Sequence, residues 1–116
     1  MKLEVGMYVK TKNGYICKII NINDYREPNM KYGIEANYLR DIMFIGDNDI
    51  AKASYNIIDI LEVGDYVNGV KVINIDDEWI IMSNMQVPIL KSIANGMIKS
   101  VITYEQMEQM AYKVGE

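Results

Sequence analysis

The chain is poor in side chains able to do acid–base or nucleophilic chemistry. It has no histidine, which removes the commonest general base near neutral pH and the commonest metal ligand. Its single cysteine, Cys17, would need a neighbouring base or an electropositive setting to act as a thiolate. Cys17 follows Ile16 in a β-prone run, so a small core or half-buried residue is expected there. No serine stands in a Gly-x-Ser-x-Gly elbow, and no glycine-rich phosphate loop opens a helix. Carboxylates remain, densest at Asp47, Asp49 and the run Asp76-Asp77-Glu78. Asp47-Asn48-Asp49 begins like a calcium loop but lacks the required glycine and the distant bidentate glutamate. Asp and Asn bond their own backbone in turns, so turn capping is the expected role. No catalytic, metal-binding or cofactor-binding residue is assigned, and the chain is expected not to be an enzyme.

Recognition is the other chemistry available. The segment Asn23–Asp41 carries Tyr25, Arg26, Tyr32, Tyr38 and Arg40, and Tyr and Arg are enriched at interface hot spots. These five residues are the candidate partner-binding set. The plainer alternative is that Tyr32 and Tyr38 cover the open end of a small barrel. Trp79, alone of its kind, is expected in the core.

These residues are positioned by a repeated unit. Leu3-Glu4-Val5-Gly6-Met7-Tyr8-Val9 returns as Leu61-Glu62-Val63-Gly64-Asp65-Tyr66-Val67, and Lys18-Ile19-Ile20-Asn21-Ile22 as Lys71-Val72-Ile73-Asn74-Ile75. Such self-similarity marks one structural unit used twice, here residues 1–60 and 61–116. Between the two phrases lies Asn13-Gly14 in one copy and Asn68-Gly69 in the other. Asn-Gly suits the positive φ at both centres of a type I′ hairpin turn. Arms are expected over residues 7–12 and 15–22, then over 65–67 and 70–76. Further strands are expected near 32–36, 42–45 and 55–60 in the first unit, and near 79–82, 86–90 and 98–102 in the second. Pro88 must lie at an edge or strand end, having no amide hydrogen for a ladder. Asp49–Ala53 is an alternative site for a single turn. Thr103 and Gln106 form a capping-box pair, which predicts one short helix over residues 104–110, followed by a possible last strand over 111–114. The fold class is therefore all-β, with two tandem small SH3-like barrels or curled antiparallel sheets and a short C-terminal helix. The junction Ile57–Val63 lacks a Gly/Ser/Pro linker, so rigid docking of the units is expected. The segment after Ile22 is longer than its counterpart after Ile75, and extra length in one repeat often maps to a binding loop.

Composition narrows the partner. Half of the 116 residues are apolar, enough for a packed core. Sixteen acidic side chains against 12 basic ones give a net charge of −4, which disfavours general nucleic-acid binding. One cysteine cannot form an internal disulfide, and Lys2 and Glu4 interrupt any apolar leader. A cytoplasmic protein without a membrane span is expected.

Val5-Gly6-Met7-Tyr8-Val9, with the Asn-Gly pair and Lys-Ile-Ile-Asn-Ile after it, resembles the opening strands of SH3-like barrels, including the KOW type. A longer stretch, residues 56–69 together with 98–108, is similar to small accessory proteins of temperate phages of low-GC Gram-positive bacteria. That resemblance implies no catalytic residues and no cofactor. It implies a non-enzymatic protein acting in a bacterial host's cytoplasm by binding a host defence protein, as an anti-CRISPR or other anti-defence inhibitor. Two alternatives stay open. One is a KOW-like nucleic-acid module using Lys10, Lys12, Lys18, Arg26 and Lys31. The other is a homo-oligomeric structural or small-ligand-sequestering protein.

Overall fold

Both copies of the repeated phrase fold as the same turn. In the first, the Met7 amide donates to the Glu4 carbonyl (3.2 Å), Gly6 to Ile19 (2.9 Å) and Ile19 to Met7 (2.9 Å). In the second, Asp65 donates to Glu62 (3.1 Å), Gly64 to Val72 (2.9 Å) and Val72 to Asp65 (2.8 Å). The turn needs φ of +96° at Gly6 and +100° at Gly64, a region that costs a side chain bearing Cβ dearly. One group differs. The Glu4 amide donates to the Met7 sulfur at 3.2 Å, whereas the Glu62 amide donates to Asp65 Oδ2 at 2.8 Å. Asp65 is fully buried, and its Oδ1 accepts the Tyr104 amide at 2.8 Å.

The computed structural model describes residues 2–24, 26–36, 39–111 and 114–115, and the chain divides into two units, Met1–Ile60 and Leu61–Glu116. The first unit contains β1 (Tyr8–Thr11), β2 (Ile16–Ile22), β3 (Tyr32–Glu35), β4 (Met43–Ile45) and β5 (Ile50–Ser54). They form a five-stranded antiparallel sheet in the order β4-β3-β2-β1-β5. Single 3-10 turns lie at Pro28–Met30, Asp47–Asp49 and Ile57–Ile60. Alternation puts Val9, Cys17, Ile19, Tyr32, Ile34 and Ile45 in one buried cluster with Met7. Outward on the same strands point Lys18, Glu35 and Phe44.

The second unit contains β6 (Tyr66–Val67), β7 (Val70–Ile75), β8 (Trp79–Met82), β9 (Ile89–Leu90) and β10 (Val101–Ile102), with helices α1 (Lys91–Met97) and α2 (Tyr104–Met110). Its order, β10-β6-β7-β8-β9, is that of the first sheet. Both sheets carry a register shift at the same point of the repeat, Ile19/Asn21 and Val72/Asn74. The fold is all-β, as the repeat and the strand patterns imply, with the short C-terminal helix in place. In that helix the Thr103 amide donates to Gln106 Oε1 (3.0 Å), and the Gln106 amide donates to Thr103 Oγ1 (3.1 Å). Pro88 directly precedes the edge strand β9.

Several local expectations are corrected. Asn68 (φ +52°) and Gly69 (φ +80°) make the two-residue turn with both φ positive, but in the first hairpin Gly14 alone is left-handed (φ +93°). There Gly14 donates to the Thr11 carbonyl and Thr11 to the Tyr15 carbonyl, which is a three-residue loop with a glycine bulge. Thr11 Oγ1 explains the choice: it accepts the Tyr15 amide at 3.0 Å and donates to Asn13 Oδ1. The closing strand of the first unit is Ile50–Ser54, not residues 55–60. Ser54 Oγ accepts the Asn56 amide and donates to Asp59 Oδ2, so the chain turns there and buries Ile58 and Ile60 from a 3-10 turn. Helix α1 has no side-chain cap and hence no sequence signal. Its first amide, Lys91, donates to the Glu78 carbonyl, and Ala94 is buried. Of the possible last strand, residues 112 and 113 lie outside the described residues, and Val114–Gly115 forms a turn.

The Asp65 carboxylate satisfies two backbone donors with no solvent substitute, so Asp65→Ala should cost roughly 2–3 kcal/mol. Urea unfolding followed by circular dichroism checks this; Asp65→Asn, which keeps one acceptor oxygen, should lose less.

Candidate functional site

The Asn23–Asp41 segment is not one loop. Strand β3 divides it into a β2–β3 connection and a β3–β4 connection. In the first, the Asn23 amide donates to the Lys31 carbonyl (2.9 Å) and Arg26 to Asn23 (3.2 Å). The 3-10 turn Pro28–Met30 then lies against Gly46, where a Cβ would fall on the Pro28 carbonyl and the Asn29 backbone. Glycine is required there by backbone approach, not by φ.

The five candidate residues fare differently. Tyr25 and Tyr38 lie outside the described residues. Tyr32 is 4% exposed, part of the core cluster, and its hydroxyl donates to Asp47 Oδ1 at 2.6 Å. Its ring therefore belongs to the core of the first unit and not to an exposed surface. Arg26 and Arg40 are exposed. The Arg26 guanidinium stacks over the Phe44 ring, 3.9 Å from its centroid, within the range of a cation–π contact. Phe44 stands opposite Gly33 across the β3–β4 ladder. A Cβ on Gly33 would lie 3.4 Å from both the Phe44 ring and Ile42 Cγ2, so ring and aliphatic chain lie across the bare backbone. Arg26, Phe44 and Ile42 thus form one patch on the outer side of β3 and β4.

The inner side of the same strands borders a cleft of about 740 Å³, lined by Ile34, Met43 and Ile45 below and by Thr11, Lys12, Asn13, Tyr15, Asn48 and Asp49 around. The Lys12 amide donates to the Asp49 carbonyl at 2.9 Å, which holds the hairpin tip to the Asp47–Asp49 turn. β4 carries the patch on one face and the cleft on the other.

Several of the residues that could do chemistry are committed to structure. Burial pushes the Cys17 thiol up to about 11, so it is protonated and unreactive near neutral pH. Asp49 Oδ2 accepts the Gly46 amide (3.0 Å), Asp76 Oδ1 accepts Glu78 (3.1 Å) and Trp79 (2.8 Å), and Asp59 accepts Ser54. Among the described residues no three His, Cys, Asp or Glu side chains gather to hold a metal.

Sequence reading missed Phe44, Ile42 and Met43. The unbroken run Ile42-Met43-Phe44-Ile45 was the available signal, because a half-buried strand should alternate. Ile42 and Met43 are in fact half-exposed. The expectation for Trp79 is corrected too. It is 41% exposed and pairs across strands with the exposed Leu90, since β8 buries Ile80 and the alternate position faces out.

The raised thiol makes stability fall with alkali. An unfolded thiol ionises near 9.0 and the folded one near 11. The unfolded state therefore binds fewer protons between those values, and the stabilisation, full below pH 9, drains as pH rises toward 11. Tyr32, raised by burial and then by its bond to Asp47, adds loss in the same direction. Denaturant midpoints measured from pH 8 to 11 should decline, and Cys17→Ala should flatten the lower part of that decline.

Among the described residues no helix is long and apolar enough to cross a membrane. No family model matches the chain, and neither a curated protein nor a solved structure does.

Proposed function

We propose that this chain is a non-enzymatic, phage-type binding protein that inhibits a host defence protein by direct contact, of the anti-CRISPR or another anti-defence kind, in the host cytoplasm. The observation that carries the reading is the stack of the exposed Arg26 on the Phe44 ring beside half-exposed Ile42. Arginine and aromatic side chains are the types that dominate interface energetics. The commitment of Cys17, Asp47, Asp49, Asp65 and Asp76 to core and caps supports recognition over catalysis. The net charge of −4 favours a partner with a basic surface. In both units the last strand in chain order returns to pair with the first, which supports the SH3-like reading of each.

The KOW-like alternative draws less support. Lys10 is 4% exposed, and Lys31 sits 3.5 Å from Asp24, leaving Lys12, Lys18 and Arg26 of the five. Retardation of DNA or RNA at low salt that weakens steeply as salt rises would favour it. The small-ligand alternative draws on the cleft, whose volume is that of a ligand site.

The test is capture of purified host defence nucleases by immobilised chain, together with their cleavage activity. Wild type should capture and inhibit a nuclease, and Arg26→Ala/Phe44→Ala should bind it about thirtyfold more weakly. Absence of any capture overturns the inhibitor reading; equal capture by the variant removes this surface from it.

A further inference from the structure

The two copies finish the outer side of corresponding strands in different ways. Tyr32 pairs with Ile22 and Ile45, and Ile80 pairs with Ile75 and Ile89, so the two positions are counterparts. Before Tyr32 the first copy inserts the connection Asn23–Lys31; before Trp79 the second has only Asp76–Glu78. The longer connection folds back over its own sheet. It sets the Arg26 guanidinium 3.9 Å from the centroid of the Phe44 ring and the Pro28–Met30 turn against Gly46. The shorter one is used up in its own turn, where Asp76 Oδ1 accepts the Glu78 and Trp79 amides. Leu90 follows Ile89 as Gly46 follows Ile45, but no turn lies over it. Trp79 and Leu90, paired across β8 and β9, are 41% and 36% exposed. One copy covers its outer aromatic with an arginine of its own; the other leaves its outer aromatic bare.

Charge around the bare ring is one-sided. Asp77 and Glu78 directly precede Trp79 and are exposed, and among the described residues neither carboxylate is held in a hydrogen bond or an ion pair. Asp76 adds a third negative charge beside them. Two cations have to be weighed against these. Lys91 follows Leu90, and its amide donates to the Glu78 carbonyl. Lys71 stands at the far end of the β7–β8 ladder, where its carbonyl accepts the Ser83 amide. Three carboxylates against the single ammonium at this end leave the surroundings of Trp79 negative. An indole is the ring that holds a cation over its face best, and a guanidinium, planar and weakly hydrated, is the side chain that stacks there.

We infer that Trp79 and Leu90, with Asp77 and Glu78 beside them, form a docking surface for an arginine-bearing segment of a protein partner. The partner's guanidinium lies over Trp79 as Arg26 lies over Phe44 in the first copy, and the two carboxylates attract it. The inference rests on the protein-contact reading above and adds to it a surface on the second unit. Leu90 supplies apolar contact, and the negative rim selects the cation.

Trp79 is the only tryptophan, so its fluorescence reads the contact directly in the full chain. The probe is a blocked pentapeptide, Thr-Val-Arg-Val-Thr, compared with its analogue bearing citrulline, which keeps the plane of the arginine and loses its charge. A saturable change in Trp79 emission is expected with the arginine peptide, and roughly tenfold weaker binding with the citrulline one. Asp77→Asn/Glu78→Gln should weaken the arginine peptide about fivefold and leave the citrulline peptide unchanged. Arg26→Ala/Phe44→Ala should titrate as wild type does. No saturable change, equal affinity of the two peptides, or an equal loss in both double variants overturns the docking surface. Nuclease capture is then repeated with Trp79→Ala, its fold confirmed by circular dichroism, and should be roughly tenfold weaker. Equal capture by wild type and Trp79→Ala would overturn this surface and leave the protein-contact reading standing; peptide binding without any capture would remove the inhibitor reading and keep the surface.

Discussion

Everything in the two sheets follows from the turn that opens each unit. With φ near +100° at Gly6 and Gly64, the chain reverses so that one amide and one carbonyl of the phrase meet the second strand, at Ile19 or Val72. Those bonds fix the register of the first strand against the second. A slip of one residue would exchange every inward and outward side chain, sending Val9, Cys17 and Ile19 to solvent. The later strands inherit the register in turn, and so does the placement of Phe44 outside and Ile45 inside. The turn is held by different chemistry in the two copies, a thioether in one and a buried carboxylate in the other. The carboxylate also accepts from Tyr104, so the second unit's turn is fastened to its last helix. Among the described residues the first unit has no equivalent helix, and its closing segment places Tyr55 over Gly6 instead, 3.7 Å from where a Cβ would stand. The Tyr55 hydroxyl donates to Glu4 Oε1 at 2.8 Å.

How much of this could be read from the residues depends on whether the signal was local. The repeated phrase, the Thr103–Gln106 box and the Asn68-Gly69 turn are local, and each folds as its residues imply. The first hairpin defeats the Asn-Gly rule because Thr11 offers its hydroxyl to the Tyr15 amide, a contact that works only with a three-residue loop. The closing strand of the first unit was displaced because Ile57-Ile58-Asp59-Ile60 has strand composition. The Ser54 hydroxyl ends the strand just before it, and burial of alternate isoleucines is served equally well by a 3-10 turn. Helix α1 has no cap and contains Gly96, so contact with Glu78 and burial of Ala94 decide it. Its sequence cannot.

The candidate surface was legible in part for the same reason. Tyr/Arg enrichment pointed to the connection between β2 and β3, and Arg26 is exposed there. Composition alone could not separate Tyr32, which alternation turns into the core, from Arg26, which leaves the sheet before β3 begins. Nor could it supply Phe44, whose role depends on Gly33 opposite it across the ladder. A bare residue on one strand and an aromatic ring on its neighbour become a flat platform only when the register brings them side by side.

The same place in the two sheets is finished differently in the two copies. β4 and β9 both stand at an edge, beside the third strand of their sheets. Pro88 and Lys91 flank β9; proline withholds an amide hydrogen and lysine keeps a charge beside the ladder, both of which oppose pairing with another chain. β4 is followed by Gly46, whose missing Cβ lets the Pro28–Met30 turn pack against the chain there, and then by Asp47, whose carboxylate accepts the Tyr32 hydroxyl. The repeat fixes the order of the strands, and the residues that differ between the copies decide how each edge ends.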